Sequence, residues 1–186
     1  MKKLINYFFE LGMLKKYHHN GPMAAGVKIP DTVAEHSYRA AIIAYVLAEL
    51  EGKSGETAAA MLLFHDTPEA RTGDHNKIAQ RYIDRDKVEL AVLKDQTELL
   101  PSEIAGKIEK YWKEMSKGNT IMAKIAYDAD LLETALQAKE YLDLGHPTKA
   151  WIDNVKVHLK TTSGKKLLRE LEKTHFTDWW KGLKKS

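Results

Sequence analysis

Two imidazoles and two carboxylates, His36, His65, Asp66 and Asp130, are set in or at the end of apolar stretches, where polar side chains are unusual. His65 and Asp66 adjoin in MLLFHDTPEARTGD, His36 lies in TVAEHSYRAAIIAYVLAEL, and Asp130 lies in IMAKIAYDADLLETALQAKEYL. Burying an imidazole beside a carboxylate is unfavourable unless something cationic satisfies both, and a divalent metal is the natural candidate. Two nitrogen and two oxygen donors suit ions such as Mn, Fe, Co, Ni or Zn. On chemistry alone the bland alternative, surface or helix-end His-Asp pairs, stands level with the metal reading.

The order AEHS, then FHDTPEARTGD, then ADLLETALQAKEY resembles the HD-domain metal-dependent phosphohydrolases, specifically the 5'-deoxynucleotidase branch of nucleoside 5'-monophosphatases. The likeness runs from about Leu14 to Leu144 and takes in Glu35, Glu69, Gly73, Asp74, Glu133 and Glu140 besides the tetrad. It implies an all-α, compact multi-helix HD-domain bundle, a homodimer, with one divalent metal ion per site (Mn, Co, Ni, Fe, Zn or Mg) held by His36, His65, Asp66 and Asp130. The implied reaction is hydrolysis of a nucleoside or deoxynucleoside 5'-monophosphate to nucleoside and inorganic phosphate, the ion polarising a phosphate oxygen and acidifying water. By the same resemblance Glu69 serves the catalytic water, and Asp74 sits beside the leaving-group oxygen or the attacking water. The chain departs from the branch at one place. Where relatives carry an Arg followed closely by Trp, associated with holding phosphate and recognising the sugar, this chain reads His18-His19-Asn20-Gly21-Pro22. His18 or His19 is therefore the candidate basic contact, and selectivity for deoxyribose is expected to be weaker.

The residues around the tetrad carry their own chemistry. Glu69 follows His65 by four positions, hence on the same face if the helical turn persists, where a carboxylate could take a proton from water. Its plain alternative is a surface acid. Asp74 after Gly73 is equally ordinary turn chemistry. Lys28, Arg39 and Arg71 lie near the motifs and could contact phosphate, although Arg39 could instead pair with Glu35 at helical spacing. Asp128 precedes Asp130 by two residues, about 200° around a helix, so the two cannot face one ion. Asp128 is expected to be solvated or to support a ligand; His75 is a candidate extra ligand or phosphate contact, with plain exposure the stronger expectation; Trp179, Trp180 and Phe176 are expected to pack the C-terminal helix, with a subunit interface as the alternative.

Composition bounds the reading. The chain has 186 residues and no cysteine, so it can bury a core without staples, and only His, Asp and Glu remain as transition-metal ligands. Twenty-nine basic and 26 acidic side chains give a net charge of +3, which suits a small anionic substrate better than nucleic acid. No signal-peptide pattern opens the chain and no run of eighteen apolar residues occurs, so no membrane partner and a cytoplasmic location are expected. Apolar residues recur at helical spacing with no period-two alternation, which reads as one all-α domain over residues 1–186.

Helices are expected over about residues 5–14, from a Thr32/Glu35 capping box onward, 55–66, 85–99, 102–115, 120–144, 149–161 and 164–173. Pro68 should mark the end of the third of these, and KGLKKS should be a solvated tail. Two other readings remain open. One is an HD phosphohydrolase acting on a nucleoside triphosphate, cyclic nucleotide or alarmone; the other is a non-catalytic helical module locked by a metal. Glu69 separates them, because a structural site needs ligands but no poised acid.

Overall fold

The computed structural model describes residues 1–183, so the last residues of the KGLKKS tail lie outside the described ones. No strand forms among them; the β-like feature is an isolated antiparallel bridge between His18 and Thr32. The chain runs through α1 (Lys2–Leu11), a 3-10 turn (Gly12–Lys15), α2 (Asn20–Ala24), α3 (Val33–Leu50), α4 (Gly55–His65) and the short α5 (Glu69–Thr72). Then follow a 3-10 turn (Ala79–Arg81), α6 (Arg85–Thr97), α7 (Ser102–Lys117), α8 (Ile121–Asp143), α9 (Lys149–His158), α10 (Thr162–Leu171) and a last 3-10 turn (Asp178–Trp180).

Local chemistry sets these boundaries. The capping box at Thr32 forms in both directions: the Glu35 N–H donates to Thr32 Oγ1 at 3.2 Å, and the Thr32 N–H donates to Glu35 Oε2 at 2.7 Å. Glu35 is thereby committed to the cap and does not pair with Arg39. The chain leaves α4 at His65, turns through Asp66, Thr67 and Pro68, and re-enters a helix at Glu69. Gly73, at φ +69°, ends that short helix in a conformation that disfavours other residues.

The main core is rich in alanine. Ala40, Ala41, Ala44 and Ala48 of α3 meet Ala123, Ala126, Ala129 and Ala135 of α8, with Met61 and Leu62 of α4, Ile152 and Val155 of α9, and Leu168 and Leu171 of α10 around them. Small side chains at a helix crossing shorten the interaxial distance. The packing of α3 on α8 sets His36, one turn before Ala40, against Asp130 and Glu133, which lie between Ala129 and Ala135. Leu93, Ile108 and Trp112 form a second cluster beneath the end of α4.

Two expectations are corrected here. Asp128 is neither solvated nor beside a ligand: it is fully buried and accepts from the backbone N–H of Lys160 and Thr161 and from the Thr161 hydroxyl, holding the start of α10. Trp179 and Trp180 do not enter the core but meet edge to face at the surface, 71% and 47% exposed, with ring centroids 5.2 Å apart.

Candidate metal centre

Three helices deliver the tetrad. His36 comes from the end of the first turn of α3, His65 and Asp66 from the end of α4, and Asp130 from the middle of α8. The ligand atoms of His36, His65 and Asp66 all lie within 4.8 Å of one another. His65 Nε2 is 2.9 Å from Asp66 Oδ2, and His36 Nε2 is 3.7 Å from the same oxygen. Asp130 Oδ1 joins them at 3.1 Å from His36 Nε2 and 3.8 Å from His65 Nε2. Donors bound at about 2.1 Å to one ion stand roughly 3.0–3.4 Å apart, so these spacings fit a shared cation. His36, His65 and Asp66 are buried, whereas Asp130 is 29% exposed and forms the open side.

Each imidazole is held by its other nitrogen. His36 Nδ1 lies 2.5 Å from Glu133 Oε2, and His65 Nδ1 lies 2.6 Å from the Leu62 carbonyl. Both partners accept, so the proton belongs on Nδ1 and the Nε2 lone pairs point to the centre. Glu133 is fixed in turn by the Arg39 guanidinium at 2.8 Å, which also reaches Gln137 and Glu140. His65 Nε2 is buried and makes no hydrogen bond, although Asp66 Oδ2 lies 2.9 Å away. An orphaned buried nitrogen of this kind fits a metal ligand. Burial opposes charging of His65, yet Asp66 and Asp130 outweigh it and push the imidazole up to about 10. Asp66, which burial alone would raise, is held down at about 2 by His65, His36 and Arg85. The cluster thus keeps positive charge against its carboxylates, as protons on the imidazoles or as a metal ion that displaces them.

A cleft of about 380 Å³ opens from this cluster. Glu69 reaches it from the first turn of α5, buried, with Oε2 making no hydrogen bond. Burial, reinforced by Asp66, raises its carboxyl to about 10 against the pull of Arg85. Asp74 also lines the cleft; its carboxylate accepts from the Asn20 N–H at 2.6 Å and so ties the turn after Gly73 to α2. His19 lines the cleft with its Nδ1 2.7 Å from Asp31 Oδ2, while the Tyr141 hydroxyl donates to the other oxygen of Asp31. Burial lowers the His19 imidazole, but the hydrogen bond to Asp31 prevails and its pKa is raised.

The remaining sequence candidates lie elsewhere. His18 turns to the Pro30 carbonyl at 2.5 Å and does not line the cleft. Lys28 is exposed outside it. Arg71 points away and forks onto Glu10 at 2.7 Å and Asp95 at 3.0 Å. Arg39 supports Glu133 from behind the cleft wall. The cleft's basic groups are instead Lys77 and Arg85. Arg85 stands 3.3 Å from Asp66 Oδ1 and 3.4 Å from Glu69 Oε1, and its Nε donates to Glu89 one turn along α6. No motif marks these two residues in the sequence; folding of the 74–85 segment over the site places them. His75 lines the cleft rather than standing fully exposed.

An all-helical bundle that gathers a histidine, an adjacent His-Asp pair and a distant aspartate around one point defines the HD-type class of fold. This chain belongs to the HD domain family, whose pattern matches residues 11–172. Similar proteins include the human 5'-deoxynucleotidase HDDC2, 28% identical over 148 residues that cover 78% of this chain and 71% of the relative. The Dictyostelium discoideum 5'-deoxynucleotidase HDDC2 is 30% identical over 151 residues, 76% of this chain and 78% of its own. Among solved structures, a Pyrococcus horikoshii protein superposes with a TM-score of 0.77 at 27% identity, covering 91% of this chain and 98% of that one.

Proposed function

We propose that this chain is a metal-dependent phosphohydrolase that releases inorganic phosphate from nucleoside and deoxynucleoside 5'-monophosphates, working as a single HD-type domain. The observation that carries the reading is Glu69, a buried, partly unpartnered carboxylate beside the His36–His65–Asp66–Asp130 cluster and facing an open cleft. A site that only locks helices together has no use for such an acid. The similarity to proteins named 5'-deoxynucleotidases supports the substrate class.

His36, His65, Asp66 and Asp130 would hold one divalent ion, of the Mn, Co, Ni, Fe, Zn or Mg series. When bound, the ion supplies Lewis acidity toward a phosphate oxygen and lowers the pKa of water. The chain's own residues do the rest. Glu69 accepts the proton of the water whose oxygen attacks phosphorus, the bond from phosphorus to the 5'-oxygen breaks, and a proton passes to that oxygen as the nucleoside leaves. Burial and Asp66 raise the Glu69 carboxyl; Arg85, and the charge of an ion at the cluster, would act in the opposite direction. Asp74 stands on the same cleft wall for the leaving oxygen, and His19, Lys77 and Arg85 supply positive charge for the phosphate.

The acidic cleft supports the need for a cation. Asp31, Asp66, Asp74, Asp130 and Glu133 line it against His19, His36, Lys77 and Arg85, so a phosphate there meets carboxylates as well as cationic groups, and an ion at the cluster would add to the positive side. A homodimer belongs to the same reading, supported by the exposed stripe Tyr38, Ile42, Tyr45, Val46 and Leu50 along the outer face of α3. No helix is long and apolar enough to cross a membrane; a cytoplasmic site of action is part of the same proposal. The test is phosphate release from a panel of nucleotides by metal-stripped protein reconstituted with Mn, Co, Mg, Ni or Zn. The reading expects 5'-monophosphates to be cleaved and triphosphates, cyclic nucleotides and alarmones to be poor substrates. The reverse order would overturn it.

A further inference from the structure

The cleft is longer than the metal cluster requires. From Asp130 it follows α8 past Thr134 and Gln137 to Tyr141, and at 1.5 Å per residue Gln137 lies about 10 Å along the helix from Asp130. That is comparable to the distance from the phosphorus of a 5'-nucleotide to its base. At this depth the lining changes character. Trp151 and Val155 of α9 form one wall and Pro22 with Gly21 the other.

Trp151 is the largest of these side chains. It is half-buried and packs on the main core, which fixes the ring, while it still lines the cleft. The edge of its six-membered ring abuts Gly21, where a Cβ would sit 3.8 Å from the ring carbons, so the indole closes the gap between α9 and α2. Gln137 faces the same space with its orientation set: Oε1 accepts from Arg39 at 2.8 Å, and Arg39 is anchored by Glu133 and Glu140. The amide therefore turns its N–H donors away from Arg39. A flat apolar surface beside a fixed donor suits a flat ring that carries acceptors on its edge.

We infer that the Trp151 end of the cleft is a nucleobase subsite, in which the base lies on the indole and Gln137 donates to the base edge. This rests on the 5'-nucleotide reading above and names how the nucleoside half is held. Every base has a π face and an edge acceptor, so the subsite admits purines and pyrimidines alike.

The experiment compares wild type, Trp151→Ala, Trp151→Leu and Trp151→Phe on dAMP, dCMP and the base-free analogue 2-deoxyribose 5-phosphate, all with one reconstituting metal. Removing a stacking partner should raise KM for dAMP and dCMP about 5- to 100-fold with kcat little changed. The kcat/KM for 2-deoxyribose 5-phosphate should stay at its wild-type value, and Phe should restore most of the loss. The Leu variant keeps apolar bulk, so it reads the loss of the aromatic face even if the Ala variant fails to fold. An equal loss on the base-free substrate, or an unchanged KM for dAMP in both Ala and Leu variants, would overturn the subsite. Failure of the wild type to cleave any 5'-monophosphate would instead contradict the proposed activity. Calorimetric affinity for dAMP relative to 2-deoxyribose 5-phosphate, wild type against Trp151→Leu, would then still decide the subsite.

Discussion

At the scale of single residues, the site is a set of atoms whose freedom has been removed. The Leu62 carbonyl and the Glu133 carboxylate fix which nitrogen of His65 and His36 faces the centre. Replacing any one of His36, His65, Asp66 or Asp130 by Ala should weaken metal binding and abolish turnover, read by metal content after dialysis and by phosphate release; full metal occupancy with wild-type turnover in Asp130→Ala would remove that ligand from the set. Glu69→Gln keeps the size of the side chain but cannot take a proton. It should retain metal and fold while turnover falls by about two to four orders of magnitude; an unchanged rate would make Glu69 a bystander. Polar residues in apolar runs singled out the tetrad, but on chemistry alone the surface-pair alternative stood level, and the order of the motifs that carry the resemblance made the set legible. Arg71 misled because nearness in sequence is not direction: it follows Glu69 by two positions in α5, about 200° around the helix, and so faces Glu10 while Glu69 faces the cleft. Arg85 was silent because its meeting with Asp66 and Glu69 exists only once α6 has packed beside α5.

At the scale of elements, helix starts were read well where a side chain caps the backbone. Thr32 and Thr120 begin α3 and α8, whose alanine faces then set His36 against Asp130. The break after His65 was less legible, because Pro68 marks a boundary but does not reveal that a new helix begins at once with Glu69. The start of α10 depends on a contact invisible in sequence, Asp128 reaching from α8 to Lys160 and Thr161. Gly164 leaves room for it, since a Cβ there would fall 2.9 Å from the Asp128 carboxylate and 2.8 Å from the Thr161 hydroxyl. Asp128→Ala should therefore lower stability by about 2–4 kcal/mol, through lost charge-assisted hydrogen bonds and buried N–H groups left unpaired. Gly164→Ala should act on the same contact, so the double variant should fall short of the sum of the two single losses. Denaturant unfolding of the four proteins measures this, and strict additivity would contradict a shared mechanism.

At the scale of the whole molecule, a nearly balanced chain gathers carboxylates in one cleft, where the proposed ion would add positive charge for an anionic substrate. Metal should accordingly stabilise the fold as well as activate it, raising the melting temperature of the stripped protein by an amount that grows with free metal concentration. On the proposed reading His19 stands in the loop where relatives of the branch carry the Arg-Trp pair, and no Trp follows it in that loop. The rates for dAMP and AMP should therefore differ by less than about tenfold, with 3'-dAMP poorer than either. The measurement that bears most directly on the account is a titration of metal-stripped protein with Mn or Co while bound ion and phosphate release from dAMP are followed together. The account predicts no turnover in the stripped protein and a rise proportional to bound ion that saturates at one ion per chain. Turnover in the stripped protein equal to that of the reconstituted one, or saturation of binding with no phosphate released from any 5'-monophosphate, would contradict it.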